Sequence, residues 1–194
     1  GCGNGLFLSR VKDAGWDAVG IDTDPKVVEN ARKKGLDVHF GSIESIDPHE
    51  EFDVITLAHV IEHVHQPTEM LRSCCQLLTP EGFLWIETPN IASIGHQLFG
   101  SDWRGLEPPR HLVLFSLKSL FNALKCSGFT KIEIQPYRPI CDFLFSSSLA
   151  IAKNMNPYSV SRHFFPSRLV KIAERIAIRD PSKREFMTVK AWKN

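Results

Sequence analysis

No apolar run in the 194 residues approaches the about eighteen that a membrane-spanning helix needs, so no stretch reads as a span. Net charge is almost absent as well, +1 with the histidines neutral, which gives no global pull toward nucleic acid. The cysteines are few and badly placed for cross-linking. Cys2, Cys74, Cys75, Cys126 and Cys141 are odd in number and form no C-x-x-C pair, which argues against a disulfide frame or a zinc knuckle. Reduced thiols of a cytoplasmic protein are the simplest account. What remains is a chain with 43% apolar residues, enough for an ordinary core, read as one domain over 1–194. Its charge is uneven. From residue 150 onward ten Lys/Arg face three Asp/Glu, so that tail carries +7 and the remainder about −6.

The chemistry concentrates in the first stretch. Gly1, Gly3 and Gly5 form a glycine turn that opens into an apolar-periodic run, Leu6, Phe7, Val11 and Ala14, read as an amphipathic helix ending at Gly15. Asp17 to Ile21 reads as a short buried strand capped by Asp22. Glycines let a backbone approach a ligand closely, and a helix start aims N–H groups at it. Asp22 at a strand tip is placed to accept hydrogen bonds from a ribose diol. Together these predict a nucleoside-containing cofactor. A dinucleotide fingerprint is missing, because the third glycine position of G-x-G-x-x-G falls on Leu6.

Farther on, Asp24 and Pro25 start a helix through Val27, Val28 and Ala31, stopped by Gly35, and Leu36 to Phe40 alternates as a strand. Repeated strand–helix–strand steps predict an α/β protein with a doubly wound parallel sheet, its ligands outside the carboxyl ends of the strands. Phe52 to Ala58 is the next strand. It runs into His59-Val60-Ile61-Glu62-His63, which matches the H-x-x-E-H pattern of inverted zinc peptidases. A zinc-dependent hydrolase using His59, Glu62 and His63 is therefore one alternative. Against it, Pro67 closes the segment within four residues of His63, too soon for the long helix such a site requires. Pro67 to Leu78 reads as a helix, Leu78 to Gly82 as a tight turn and Phe83 to Glu87 as the fifth strand of the series.

These motifs resemble those of the class I S-adenosylmethionine (SAM)-dependent methyltransferases. The G-x-G-x-G turn with Asp22 is similar to their motif I, Phe52-Asp53-Val54-Ile55 to their F-D-x-V block, and Glu62-His63 with Pro67 to the L-E-H-x-x-x-P form of one bacterial subgroup. Trp103-Arg104-Gly105 and Pro108 to His111 resemble that subgroup's W-x-G…P-x-H segment, and Gly128-Phe129 its turn before the sixth strand. The resemblance covers residues 1 to about 137 and the last strand, Glu185 to Trp192. It implies a Rossmann-like, three-layer αβα fold, mostly parallel, with an antiparallel last strand at the sheet edge. The family's first strand would precede Gly1, so the chain reads as N-terminally truncated.

The resemblance further implies SAM as cofactor, held by Gly1, Gly3, Gly5 and Asp22. Ser42 stands where an adenine-binding Asp is usual, and Ala58 and His59 lie beside the methionine part. His63 or His111 becomes the base, or His63 merely fixes a loop. Trp103 either stacks on the acceptor or plugs the loop, while Arg104 or Arg110 holds an anionic group. The implied activity is methyl transfer to a small-molecule acceptor, with oxygen favoured, in a cell-surface sugar, lipid or quinone pathway. A non-catalytic SAM-fold binding protein is the other alternative.

Between the sixth strand and the last lies an insertion, about Pro139 to Lys183, expected to be helical or a lid. In Ser167 to Arg179, Leu169, Ile172, Ala173 and Ile176 oppose Arg168, Lys171, Arg175 and Arg179. This basic amphipathic pattern over segment 162–184 reads either as a lid helix with a solvated face or as a peripheral membrane or anionic contact.

Overall fold

Residues 1–161 and 163–193 are described by the structure, a computed structural model. Arg162, the first residue of the basic segment, lies outside them. The chain folds as two compact units dividing after Phe52, where the sequence reading has one domain.

In the first unit, helix α1 (Leu6–Asp13) precedes strand β1 (Gly20–Asp22), helix α2 (Pro25–Lys33) and strand β2 (Val38–Phe40). β1 and β2 pair in parallel, Gly20 opposite Val38 and Asp22 opposite Phe40. α2 starts as its sequence predicts. Pro25 occupies the first turn and the Asp24 carboxylate accepts from the Lys26 N–H at 2.8 Å. Leu8, Val28, Ala31, Leu36 and Val38 form the core. The inward face expected for α1 is not the one observed: Leu6 and Phe7 are exposed and Leu8 is buried. A sheet of two three-residue strands covers only one row of a helix, and that row contains Leu8.

In the second unit, strand β3 (Phe52–Ala58) leads through a 3-10 turn (Ile61–His63) to helix α3 (Pro67–Leu77) and strand β4 (Leu78–Pro89). Then come helix α4 (Ile94–Phe99), helix α5 (Leu117–Cys126) and strand β5 (Phe129–Ile134). Helices α6 (Cys141–Ala152) and α7 (Ser167–Arg179) fill the insertion before strand β6 (Phe186–Lys193). The strand order is β3-β4-β6-β5. β6 runs antiparallel to β4 (Ile86 opposite Val189) and to β5 (Ile134 opposite Val189). The last strand is thus antiparallel, as expected, but sits between two strands instead of at the edge. Both its backbone edges are paired, and Met187, Val189 and Ala191 alternate into the core.

One other expectation changes. Leu78 to Gly82 is extended and continuous with β4, not a tight turn. The residue before a proline prefers extended backbone, and Thr79 hydrogen-bonds the Asp53 carboxylate at 3.2 Å. Beyond β4 comes α4, capped by the Ser93 hydroxyl on the His96 N–H at 3.1 Å. A Cβ on its buried Gly95 would collide with the Glu185 carboxylate and the Trp103 ring nitrogen, so the helix packs only with glycine there.

Candidate functional site

The glycine turn of the first unit is tied to the end of β1 through one carboxylate. Cys2 N–H donates to the Ile21 carbonyl at 2.8 Å, and Gly3 N–H donates to Asp22 Oδ2 at 2.9 Å. Asp24 N–H takes Oδ1 at 3.0 Å. A carboxylate offers about four lone-pair positions, so Asp22 is oriented by the backbone and still has acceptor capacity left. Gly3 (φ +55°) and Gly5 (φ +74°) are both left-handed, but for different reasons. A Cβ on Gly3 would meet nothing within 4 Å, which makes it the open side of the turn. On Gly5 it would stand 2.5 Å from Leu36 Cδ1, so Gly5 is needed for packing against the core. Ser42 donates to the Glu44 carboxylate, which leaves its lone pairs to accept from an amino group. An oriented acid, an open glycine backbone and a hydroxyl acceptor fit a nucleoside-containing cofactor.

In the second unit, β3 ends at Ala58 and the chain turns sharply at His59, whose φ of +53° is rare for a residue with a Cβ. Its N–H donates to the Glu87 carbonyl at 2.9 Å. Its ring lies between two carboxylates, Nδ1 at 3.2 Å from Glu62 and Nε2 at 3.3 Å from Glu87. Burial alone would lower the pKa, but the hydrogen bonds to Glu62 and Glu87 outweigh it and raise it to about 9. His59 is therefore an imidazolium at neutral pH. Glu87 is the residue the sequence reading missed. Burial would raise its pKa, while His59, Thr188 (2.7 Å) and Arg138 (2.7 Å to both oxygens) hold it down at about 2. The available signal was its place, an acid ending a buried strand.

His63 and His111 are neighbours, their ring centroids 4.9 Å apart. His63 Nδ1 lies 2.9 Å from the Arg110 carbonyl, and His111 Nδ1 lies 2.8 Å from the Gly105 carbonyl. A carbonyl only accepts, so each Nδ1 carries a proton, and the other nitrogen of His111, Nε2, lies 3.5 Å from Glu107 Oε2. Burial lowers the His111 pKa below the ordinary value. Glu62, fully buried, accepts from Thr88 at 2.9 Å, and its own carbonyl takes the N–H groups of Leu112 (2.7 Å) and Val113 (3.2 Å). These two bonds bring the segment around His111 to the turn bearing His63. Among the described residues, Glu62, His63 and His111 place ligand atoms within 4.8 Å of one another. The trio expected for a zinc hydrolase is not the one assembled, because both His59 nitrogens face carboxylates.

Trp103 is a plug and not a stacking platform. It is 1% exposed, and its indole N–H donates to Glu185 at 2.9 Å, the partner a buried tryptophan requires. Arg104 is likewise committed, donating to Glu107 at 3.1 Å and to the Tyr158 hydroxyl at 2.8 Å, with its guanidinium over the Tyr158 ring. Both bonds use Nη2, and the side chain is mostly buried. Arg110 also donates to Glu107, at 2.8 Å. Glu107 itself has φ +39°, a second left-handed residue beside a histidine.

A glycine turn opening a helix, an acid at the end of the following strand and a histidine-bearing turn after β3 are features of the SAM-dependent methyltransferases. The model of the methyltransferase domain matches residues 1–134, and the chain belongs to that family. S-adenosylmethionine is the cofactor this family implies. A ubiquinone biosynthesis O-methyltransferase of Xanthomonas oryzae is 35% identical over 98 residues, 46% of this chain and 41% of that protein. One from Haemophilus ducreyi is 33% identical over 102 residues, covering 46% and 43%. The chain thus spans less than half the length of these relatives. A SAM-dependent methyltransferase from Archaeoglobus fulgidus superposes with a TM-score of 0.67 at 19% identity, covering all of this chain and 83% of that one. The cyclase SpnF has the same fold (TM-score 0.62, 20% identity, 100% and 72% covered), so the fold alone does not name a reaction.

Proposed function

We propose that the chain is the catalytic part of a SAM-dependent methyltransferase acting on oxygen of a small molecule, a hydroxyl on a quinone precursor, lipid or sugar. The observation that carries the reading is the glycine turn fastened to the Asp22 carboxylate in a chain of this family. Gly1, Gly3, Asp22 and Ser42 hold the cofactor, with Gly5 setting the turn. S-adenosylmethionine supplies a methyl group already activated on a sulfonium, so the protein's share is alignment and removal of a proton. His63, its Nδ1 held by a carbonyl, has Nε2 left to take a hydroxyl proton, with the His111 ring beside it. The Xanthomonas relative's name, O-methylation in ubiquinone biosynthesis, supports oxygen as the target.

Calorimetric titration with S-adenosylhomocysteine tests the reading. Saturable binding is expected, weakened about 10- to 100-fold in Asp22→Ala, as for hydrogen bonds to a charged group. Absence of binding, together with stoichiometric zinc by elemental analysis, would replace it with a hydrolase. Binding without transfer to any hydroxyl acceptor would leave a SAM-fold binding protein.

A further inference from the structure

Helix α7 divides into three stripes along its length. Val170, Ala173 and Ala177 are buried, and Val170 and Ala173 join the aromatic cluster around Phe145 and Phe165. About a quarter turn away, Leu169, Ile172 and Ile176 stand 50%, 51% and 43% exposed. Beyond them Arg168, Lys171, Arg175 and Arg179 form a basic stripe. At 100° per residue the apolar stripe spans about 60° and the basic one about 80°, side by side on the outward half of the helix. The helix's one acid does not interrupt them. Glu174 turns inward, accepting from the Tyr137 hydroxyl and from the Cys141 N–H at 2.9 Å. Among the described residues, none of the four basic side chains is held in an ion pair.

The distribution along the chain points the same way. Seven of the fourteen exposed large apolar residues described lie between 139 and 183, under a quarter of the chain, where the charge excess is also found. Basic side chains beside an exposed aliphatic stripe complement a surface that is anionic outside and apolar just beneath. We propose that α7 seats the protein on an anionic lipid bilayer, lying in the plane of the interface with Leu169, Ile172 and Ile176 below the headgroups and the basic stripe among them. At 13 residues, about 20 Å, it lies on the membrane and does not cross it. Nucleic acid is disfavoured as the occupant, since α7 offers aliphatic side chains and no aromatic platform for bases. The proposal does not depend on methyl transfer.

The test is sedimentation of the full chain with vesicles of phosphatidylcholine alone and of an equimolar phosphatidylcholine–phosphatidylglycerol mixture. Binding to the anionic vesicles only, weakened by salt, is expected. Lys171→Gln with Arg175→Gln should weaken it about fivefold per charge removed. Ile172→Ser with Ile176→Ser should weaken it at least about tenfold. All four positions face outward, and unchanged melting temperatures would show the fold intact. No binding to anionic vesicles overturns the proposal, as does binding that survives the serine pair, which is ion exchange alone. Capture by polyglutamate but not by vesicles, lost in the serine pair, would overturn it in favour of an acidic protein partner.

Discussion

His63 and His111 are separated by 48 positions in the chain, yet each owes its tautomer to a carbonyl of the same loop, residues 110 and 105. If they act as one proton acceptor, their removal is not additive. His63→Gln and His111→Gln should each lower single-turnover methyl transfer about 10²- to 10⁴-fold, with the double variant close to the worse single one. Affinity for S-adenosylhomocysteine should not change. Burial lowers the His111 pKa, so the acid limb of the wild-type rate should fall below the ordinary histidine value of about 6.5. Retained transfer in both single variants would show that the pair is structural. The sequence names both histidines but cannot show them side by side, since spacing contains no information about tertiary distance. It leaves two roles open for Trp103 and offers an anion contact for Arg104 for a related reason: aromatic and basic residues in a loop look the same whether they face solvent or satisfy Glu185 and Glu107.

Among elements, those specified locally were legible. α2 carries its cap and Pro25, α5 carries Ser116 hydrogen-bonded to Ser119, and α3 shows an unbroken apolar face. Placement within the sheet was not legible, because the period of β6 says it is half buried but not which strands flank it. α4, with six residues, is too short to show a period. The insertion was read as helical from composition, but its anchor emerges only in three dimensions. Phe99, Phe145 and Phe165 meet edge to face with centroids 5.3–5.6 Å apart. Phe145→Ala should cost about 3–5 kcal/mol in chemical denaturation of the second unit. A cost under about 1 kcal/mol would mean that the cluster does not anchor α6 and α7.

For the whole molecule, the buried ionisable groups predict how stability varies with pH. Burial raises the Glu185 pKa from 4.5 to about 7, against the hydrogen bonds from Gly95 and Trp103. A raised pKa means that stability is lost as pH rises through about 7. His59, raised to about 9 by its two carboxylates, contributes stability that is complete below about 6.5 and lost as pH passes 9. Glu87, held at about 2, contributes only above its ordinary value and loses this as pH falls. Urea midpoints measured across pH should therefore decline in two steps as pH rises, the lower between about 4.5 and 7 removed by Glu185→Gln and the upper between about 6.5 and 9 removed by His59→Gln. Three of the four tryptophans lie in the same unit as both groups and report the transition. A wild-type profile without either decline between about pH 4.5 and 9 would show that neither group titrates with folding.

The Glu62 carbonyl, which takes the amides of both Leu112 and Val113, has a consequence for His63. Lifting that loop would break two backbone bonds and carry residue 110 away from His63, which would lose the partner that holds its proton on Nδ1, while His111 and Gly105 would travel together. On the proposed reading, the orientation of His63 for taking a proton is thus coupled to the position of a loop 47 residues farther along the chain.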